Sequence, residues 1–272
     1  MRSYLIIVAM LFLAGTFLIA DSDNSKRIPD VLQQKFGQKD PAMLSDLHLS
    51  NNNILKIEGL EGFVNLTNLN LSSNRIEKIE GLEKLSNLIK LDLSGNRIIK
   101  IEGVDRLTRL TDLYLYFNQI LRIEGLDNLV NLSGLNLYGN RISKIEGISQ
   151  LSNLTWIYLG YNQISKIEGL TAFSKLIYLD LSHNRISKIE GLDSLVNLTG
   201  LFLSDNQISS IEGLEKLVRL SFIFIGGNPL SNITKACYEL LKTNNVSIHL
   251  QSRETITIDQ LTNKYKMRVV EQ

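Results

Sequence analysis

Apolar residues recur along this chain every 22 positions. Counting from Leu69, the apolar positions are Leu69, Leu71, Ile76, Ile79, Leu82, Leu85 and Leu88, and the same seven are apolar in all eight complete units between Leu47 and Leu220. Nine asparagines hold the same register: Asn52, Asn74, Asn96, Asn118, Asn140, Asn162, Asn184, Asn206 and Asn228. One supersecondary unit copied at a fixed period predicts a solenoid, whose core forms only where neighbouring coils meet. Within a unit, Leu69 and Leu71 alternate with polar neighbours and so predict a short strand. Strands of successive coils, stacked in parallel at ~4.8 Å, would give a sheet ~40 Å long for nine coils.

The recurring string L-x-L-x-x-N-x-I, usually continued by x-x-I-E-G-L-x-x-L-x-x-L, resembles the leucine-rich-repeat family over roughly residues 47–233. The resemblance implies an α/β solenoid: a horseshoe with a parallel β-sheet on its concave side, a short helical or irregular convex side, and helical caps at both ends. The asparagines are expected to point inward, where an amide can donate to and accept from backbone groups that leave the strand without ladder partners. Gly59, Gly81, Gly103, Gly125, Gly147, Gly169, Gly191 and Gly213 are expected to relieve a convex turn that a Cβ would strain. Glu58, Glu80, Glu102, Glu124, Glu146, Glu168 and Glu190 each follow a lysine or arginine by two residues. This pairing predicts a solvated ion-pair ladder rather than a metal site.

The ends depart from the repeat. Residues 1–20 read as a signal peptide: Arg2, an uncharged apolar run from Tyr4 to Ala20, then Asp21 and Asp23. The competing reading is an uncleaved anchor, the only case in which a membrane is expected, although the run falls slightly short of the ~20 apolar residues that span a bilayer. Residues 21–46 are expected to form an N-terminal cap whose helix has Pro29 in its first turn, Val31, Leu32 and Phe36 on one face, and Gly37 at its end. Ile28-Pro29-Asp30 with Leu32 and Phe36-Gly37, leading into L-x-L-S-N-N-x-I, resembles the cap of internalin-type bacterial repeat proteins. The I-E-G-L phrasing is similar to the leucine-rich regulatory subunit of type-1 protein phosphatase. After the solenoid (47–230), residues 231–250 are expected to be a C-terminal cap. Ile233, Ala236, Cys237, Leu240 and Leu241 share one helical face there, and the alternation from Val246 to Leu250 predicts a last strand. Residues 251–272 form a tail of no assigned role.

The composition, 44% hydrophobic and 21% charged with a net charge of +1 over 272 residues, is globular and gives no electrostatic reason to bind nucleic acid. The single cysteine, Cys237, cannot form an intramolecular disulfide. Of seven Asn-x-Ser/Thr sequons, Asn65, Asn131, Asn153 and Asn197 occupy one repeat position, so repetition of the consensus explains much of their number. His48, His183 and His249 come with no triad, metal-ligand or phosphate-loop spacing, so neither an enzyme nor a cofactor is expected.

The outward strand positions carry the functional signal. In the first three repeats they hold Asp46, His48, Ser50, Asn51, Asn68, Asn70, Ser72, Ser73, Lys90, Asp92, Ser94 and Gly95. From the fourth repeat onward they hold Tyr114, Tyr116, Phe117, Tyr138, Trp156, Tyr158, Tyr161, Tyr178, Phe202, Phe222 and Phe224, with Asp112, Asp180, His183 and Asp205 among the rings. These are eleven of the sixteen aromatics beyond the leader, all expected to be exposed on one surface. Rings on strands also shield one another, but a patch of this extent usually marks an interface, where Tyr and Trp dominate the energetics. The expectation is an exported, monomeric, non-enzymatic module that grips a protein through these residues. The alternative is an intracellular scaffold similar to the phosphatase subunit, and sugar stacking on the rings is a third possibility.

Overall fold

The computed structural model describes residues 26–36, 40–251 and 254–271. The leader assigned to residues 1–20, and Gly37, lie outside them. Each coil contributes one three-residue strand whose central side chain points inward. The first eight are β1 (Asp46–His48), β2 (Asn68–Asn70), β3 (Lys90–Asp92), β4 (Asp112–Tyr114), β5 (Gly134–Asn136), β6 (Trp156–Tyr158), β7 (Tyr178–Asp180) and β8 (Gly200–Phe202). Past a short strand β9 (Ser210–Ile211) on the far side of its coil, β10 (Phe222–Phe224) joins them. After β11 (Asn232–Thr234) comes β12 (Ser247–Gln251), which pairs in parallel with β10, as the Val246–Leu250 alternation predicts. An antiparallel strand β13 (Glu254–Ile256) closes the sheet at eleven strands, two more than the nine repeats alone would give.

Parallel pairing is in register at every step, Leu69 against Leu91 and Leu91 against Leu113, so the inward residues form one continuous column. All seven apolar positions of all eight units are buried, the most exposed being Phe63 at 5%. On the convex side the chain makes successive tight turns rather than helices. In the second unit the Leu85 N–H donates to Leu82 O at 2.9 Å and the Leu88 N–H to Leu85 O at 3.0 Å. The glycine column has the expected cause: Gly81 has φ +69°, and a Cβ there would lie 2.5 Å from Ile57 O of the preceding coil. At Gly59 no earlier coil exists, and the Pro29 ring takes that place.

The asparagine column is internal. Asn140 Nδ2 donates to Leu137 O (2.9 Å) in its own coil and to Leu115 O (3.0 Å) in the one before, while its Oδ1 accepts from Ile120 N (3.0 Å). Each residue from Asn74 to Asn228 makes these bonds, so every coil is stitched to its predecessor by an amide that no water needs to solvate. A second asparagine column runs along the outside: Asn65, Asn131, Asn153 and Asn197 donate to carbonyls of the preceding coil, which accounts for the shared position of four sequons. In the charge ladder, Lys100 lies 3.7 Å from Glu102 and 3.9 Å from Glu124, both exposed; among the described residues no other ladder pair comes within 4.0 Å. Ordinary solvation holds the rest.

At the N-terminal end, helix α1 (Ile28–Phe36) buries Ile28 and Val31 in the same core as the repeats. At the other end, Ile233 is not helical as its spacing suggested. It sits in β11, because Thr234 is extended and caps helix α2 (Lys235–Thr243) by accepting from Cys237 N at 3.3 Å. Cys237 and Leu241 turn inward from α2, whereas Ala236 is exposed. Much of the segment from residue 251 onward is folded. Helix α3 (Ile258–Tyr265), opened by a capping box between Thr257 and Gln260, buries Ile258 and Leu261. Strand β14 (Arg268–Val270) then pairs with β11, which pairs with β9 in a small second sheet. No helix among the described residues is long and apolar enough to cross a membrane.

Candidate functional site

The pleat that buries each central leucine turns its two flanking residues onto the concave face, and the bend after the strand adds two more. For β6 these are Trp156, Tyr158, Gly160 and Tyr161. Register then sorts the rings into columns. Gly134, Trp156, Tyr178, Gly200 and Phe222 stand side by side in one, and Tyr114, Asn136, Tyr158, Asp180, Phe202, Phe224 and His249 in the next. The aromatic residues do converge on one surface. Ring centroids are 5.8 Å apart for Tyr114 and Trp156, 5.1 Å for Trp156 and Tyr158, and 4.8 Å for the stacked Phe202 and Phe224.

The rings do not stand free. Four glycines that the repeat pattern left unremarked lie beneath them: a Cβ on Gly134 would be 1.9 Å from the Trp156 indole and one on Gly200 2.2 Å from Phe222. Gly139 and Gly160 are likewise covered by Phe117 and Tyr138. Large residues tilt onto vacant neighbouring positions, so most of the patch is half-buried and its outer faces form a continuous floor. The signal was present in the sequence as a glycine one repeat away from each of these aromatics, at the same outward position.

Two of the residues expected on the open surface are buried, one of the eleven aromatics and Asp180. Tyr138 is 8% exposed because it is wedged between Phe117 and Tyr161, at 5.6 and 5.1 Å, over Gly160. Asp180 is 9% exposed, flanked in register by Tyr158 and Phe202. Tyr161 and Phe117 are the open ones, at 48% and 38%. His249 extends the patch unforeseen, stacking on Phe224 at 4.2 Å with Nδ1 3.0 Å from Thr255 Oγ1. His183 stacks on Tyr161 at 3.8 Å and lies 3.3 Å from Asp205.

Burial, reinforced by nearby carboxylates, pushes the Tyr114 and Tyr158 hydroxyls up to about 12 and raises those of Tyr138 and Tyr161. These phenols are neutral under ordinary conditions, so the fixed charge among the rings is carboxylate. From β4 to β10 the outward positions include Asp112, Asp180 and Asp205 and no lysine or arginine. Elsewhere, burial pushes the Cys237 thiol up to about 12, which leaves it unreactive, and no cluster of metal-ligating side chains occurs among the described residues.

The family profile described as "Leucine Rich repeats (2 copies)" matches residues 43–84, 86–128, 108–150, 130–172, 152–194 and 196–236. Among solved structures, internalin C2 of Listeria monocytogenes is 33% identical, with 67% of this chain and 81% of that chain covered and a TM-score of 0.64. A leucine-rich-repeat protein of Leptospira interrogans is 27% identical over 75% of this chain and 54% of its own, at a TM-score of 0.67. The functional domain of InlJ from Listeria monocytogenes, 22% identical at a TM-score of 0.54, shares the fold; this chain spans about half of it, 49%. No curated protein sequence matches. On the repeat profile and the internalin likeness together, the chain belongs to the leucine-rich-repeat family and is internalin-like.

Proposed function

We propose that this protein is an exported, non-enzymatic binding module that grips a protein through the aromatic half of its concave face. The observation that carries the reading is the asymmetry of that face: polar over β1 to β3, then continuously ring-bearing from β4 to β10. Half-buried aromatics with their outer faces open are what interface hot spots are made of. The backbone of the column from Asn51 to Gly227 is left-handed throughout, on the polar repeats (φ 58° at Asn51, 55° at Ser73) as on the aromatic ones (φ 53° at Phe117, 52° at Tyr161, 51° at His183). In the aromatic half it carries bulky rings although a side chain there costs about 1–2 kcal/mol.

The test pairs Trp156→Ala/Tyr158→Ala with His48→Ala/Asn70→Ala on the polar repeats. The first variant should keep the parent's circular dichroism yet lose capture of surface or extracellular host proteins, and the second should bind as the parent does. Equal capture by the first variant would remove the concave face from consideration. Export is tested separately: the native protein should begin near Asp21 and lie outside the cytoplasm, whereas intact Met1 in a cytosolic fraction would favour the phosphatase-like scaffold.

A further inference from the structure

Asp180 carries a charge that its fold does not require. Its Oδ1 accepts from Ser182 N at 2.9 Å and from Ser182 Oγ at 2.6 Å, closing the bend after β7. Asn70 closes the equivalent bend after β2 with the same two bonds, at 2.9 and 2.7 Å from Ser72, and Asn136 accepts from Tyr138 N at 3.1 Å after β5. An amide therefore meets the structural need. Asp92 closes the bend after β3 with the same two bonds, at 2.9 and 2.5 Å from Ser94, but is only half-buried on the polar repeats, whereas at 180 the carboxylate is buried among rings.

That carboxylate is buried, and its second oxygen has no donor or cation within bonding distance among the described residues. A buried charge with half its lone pairs unanswered is costly in the free protein. Burial raises the Asp180 pKa, so the folded chain binds that proton more tightly than the unfolded one. Above the raised value the ionised carboxylate costs stability, and the cost fades as the pH falls through it. Asp180 also contributes to the raised pKa values of Tyr138 and Tyr158, which places its field among the rings.

Resting on the concave-face reading, we propose that Asp180 is the anchor for a lysine or arginine side chain of the protein partner, which enters between Tyr158 and Phe202 and is held by the free carboxylate oxygen and the ring faces. A cation there would neutralise the stranded charge and gain attraction from the flanking π-systems. The outward positions from β4 to β10 include no lysine or arginine, and the imidazole of His183, the basic side chain whose field reaches Asp180, is itself turned to Asp205 at 3.3 Å. Asp112 and Asp205 add to the same negative field.

The proposal can be tested with a phage-displayed random 12-residue peptide library panned on the purified protein. Selected peptides are then synthesised with a fluorescein label and titrated by fluorescence anisotropy, a readout that the Trp156→Ala/Tyr158→Ala variant also permits. Lysine or arginine should be enriched in the selected peptides. Asp180→Asn, which keeps the bend as Asn70 does, should weaken them by about thirtyfold or more. It should also melt no lower than the parent at neutral pH, which separates lost recognition from lost fold. If the selected peptides lack basic residues yet fail to bind Trp156→Ala/Tyr158→Ala, the face binds but this anchor is wrong. Basic peptides that bind Asp180→Asn within twofold of the parent also overturn it. Peptides that bind the double-alanine variant unchanged overturn both readings.

Discussion

At the scale of single residues, what matters is whether a polar group has an alternative partner in water. Asn140 has none: its amide satisfies two carbonyls and one N–H that lie between coils. Asn140→Ala should therefore cost about 3 kcal/mol, the upper end for stranding buried polar groups, whereas Glu146→Ala on the exposed ladder should stay within about 0.5 kcal/mol. Denaturant melts of the two variants, compared at equal slope, decide it; similar losses would mean that water reaches the asparagine column.

At the scale of one strand and its bend, chemically similar rings do different jobs. Tyr138 is enclosed by Phe117, Tyr161 and the backbone of Gly160, so Tyr138→Ala should open a cavity and cost about 3 kcal/mol. Tyr161, half open and left-handed at φ 52°, is held only through its ring, which stacks on His183 at 3.8 Å and lies 5.1 Å from Tyr138. Replacing it with glycine relieves about 1 kcal/mol of backbone strain and forfeits about as much ring contact, so Tyr161→Gly should shift stability by less than about 1 kcal/mol. Thermal melts should separate the two variants clearly. A large loss for Tyr161→Gly would mean that its ring is part of the structural floor rather than of the binding surface.

Across the whole molecule, each coil touches only its neighbours, so the position of a loss matters more than its length. Deleting residues 91–112 joins Lys90 to Leu113 and rebuilds the same coil-to-coil interface, with its buried leucines and asparagine bonds. Deleting the equally long segment 251–272 uncovers the end of the core, because Ile258, Leu261 and Met267 pack there with Cys237 and Leu241. The interior deletion should retain a single cooperative melt close to that of the parent. The terminal one should melt at least several degrees lower or aggregate, since several buried apolar side chains at about 1.5–3 kcal/mol each lose their cover. Calorimetry of both settles the comparison, and the opposite ranking would place the weak point of the solenoid in its middle.

The sequence by itself determined the solenoid, because 22-residue periodicity of leucine and asparagine admits one arrangement in which every apolar position is buried and every inward amide from Asn74 onward finds a carbonyl in the coil before. It also determined which residues share the concave face, since alternation about Leu69 or Ile157 leaves no choice of side. The convex turns at Gly81 and its equivalents follow from the same repetition. What only the tertiary structure decided was how those outward residues lean. Whether Tyr138 is open depends on Gly160 in the adjacent coil, and whether Asp180 is enclosed depends on Tyr158 and Phe202 on either side of it, relations between positions 22 residues apart that periodicity averages away. The same reason hid β11, α3 and β14: they repeat nothing, and their apolar residues become a pattern only when the open end of the core is there to receive them.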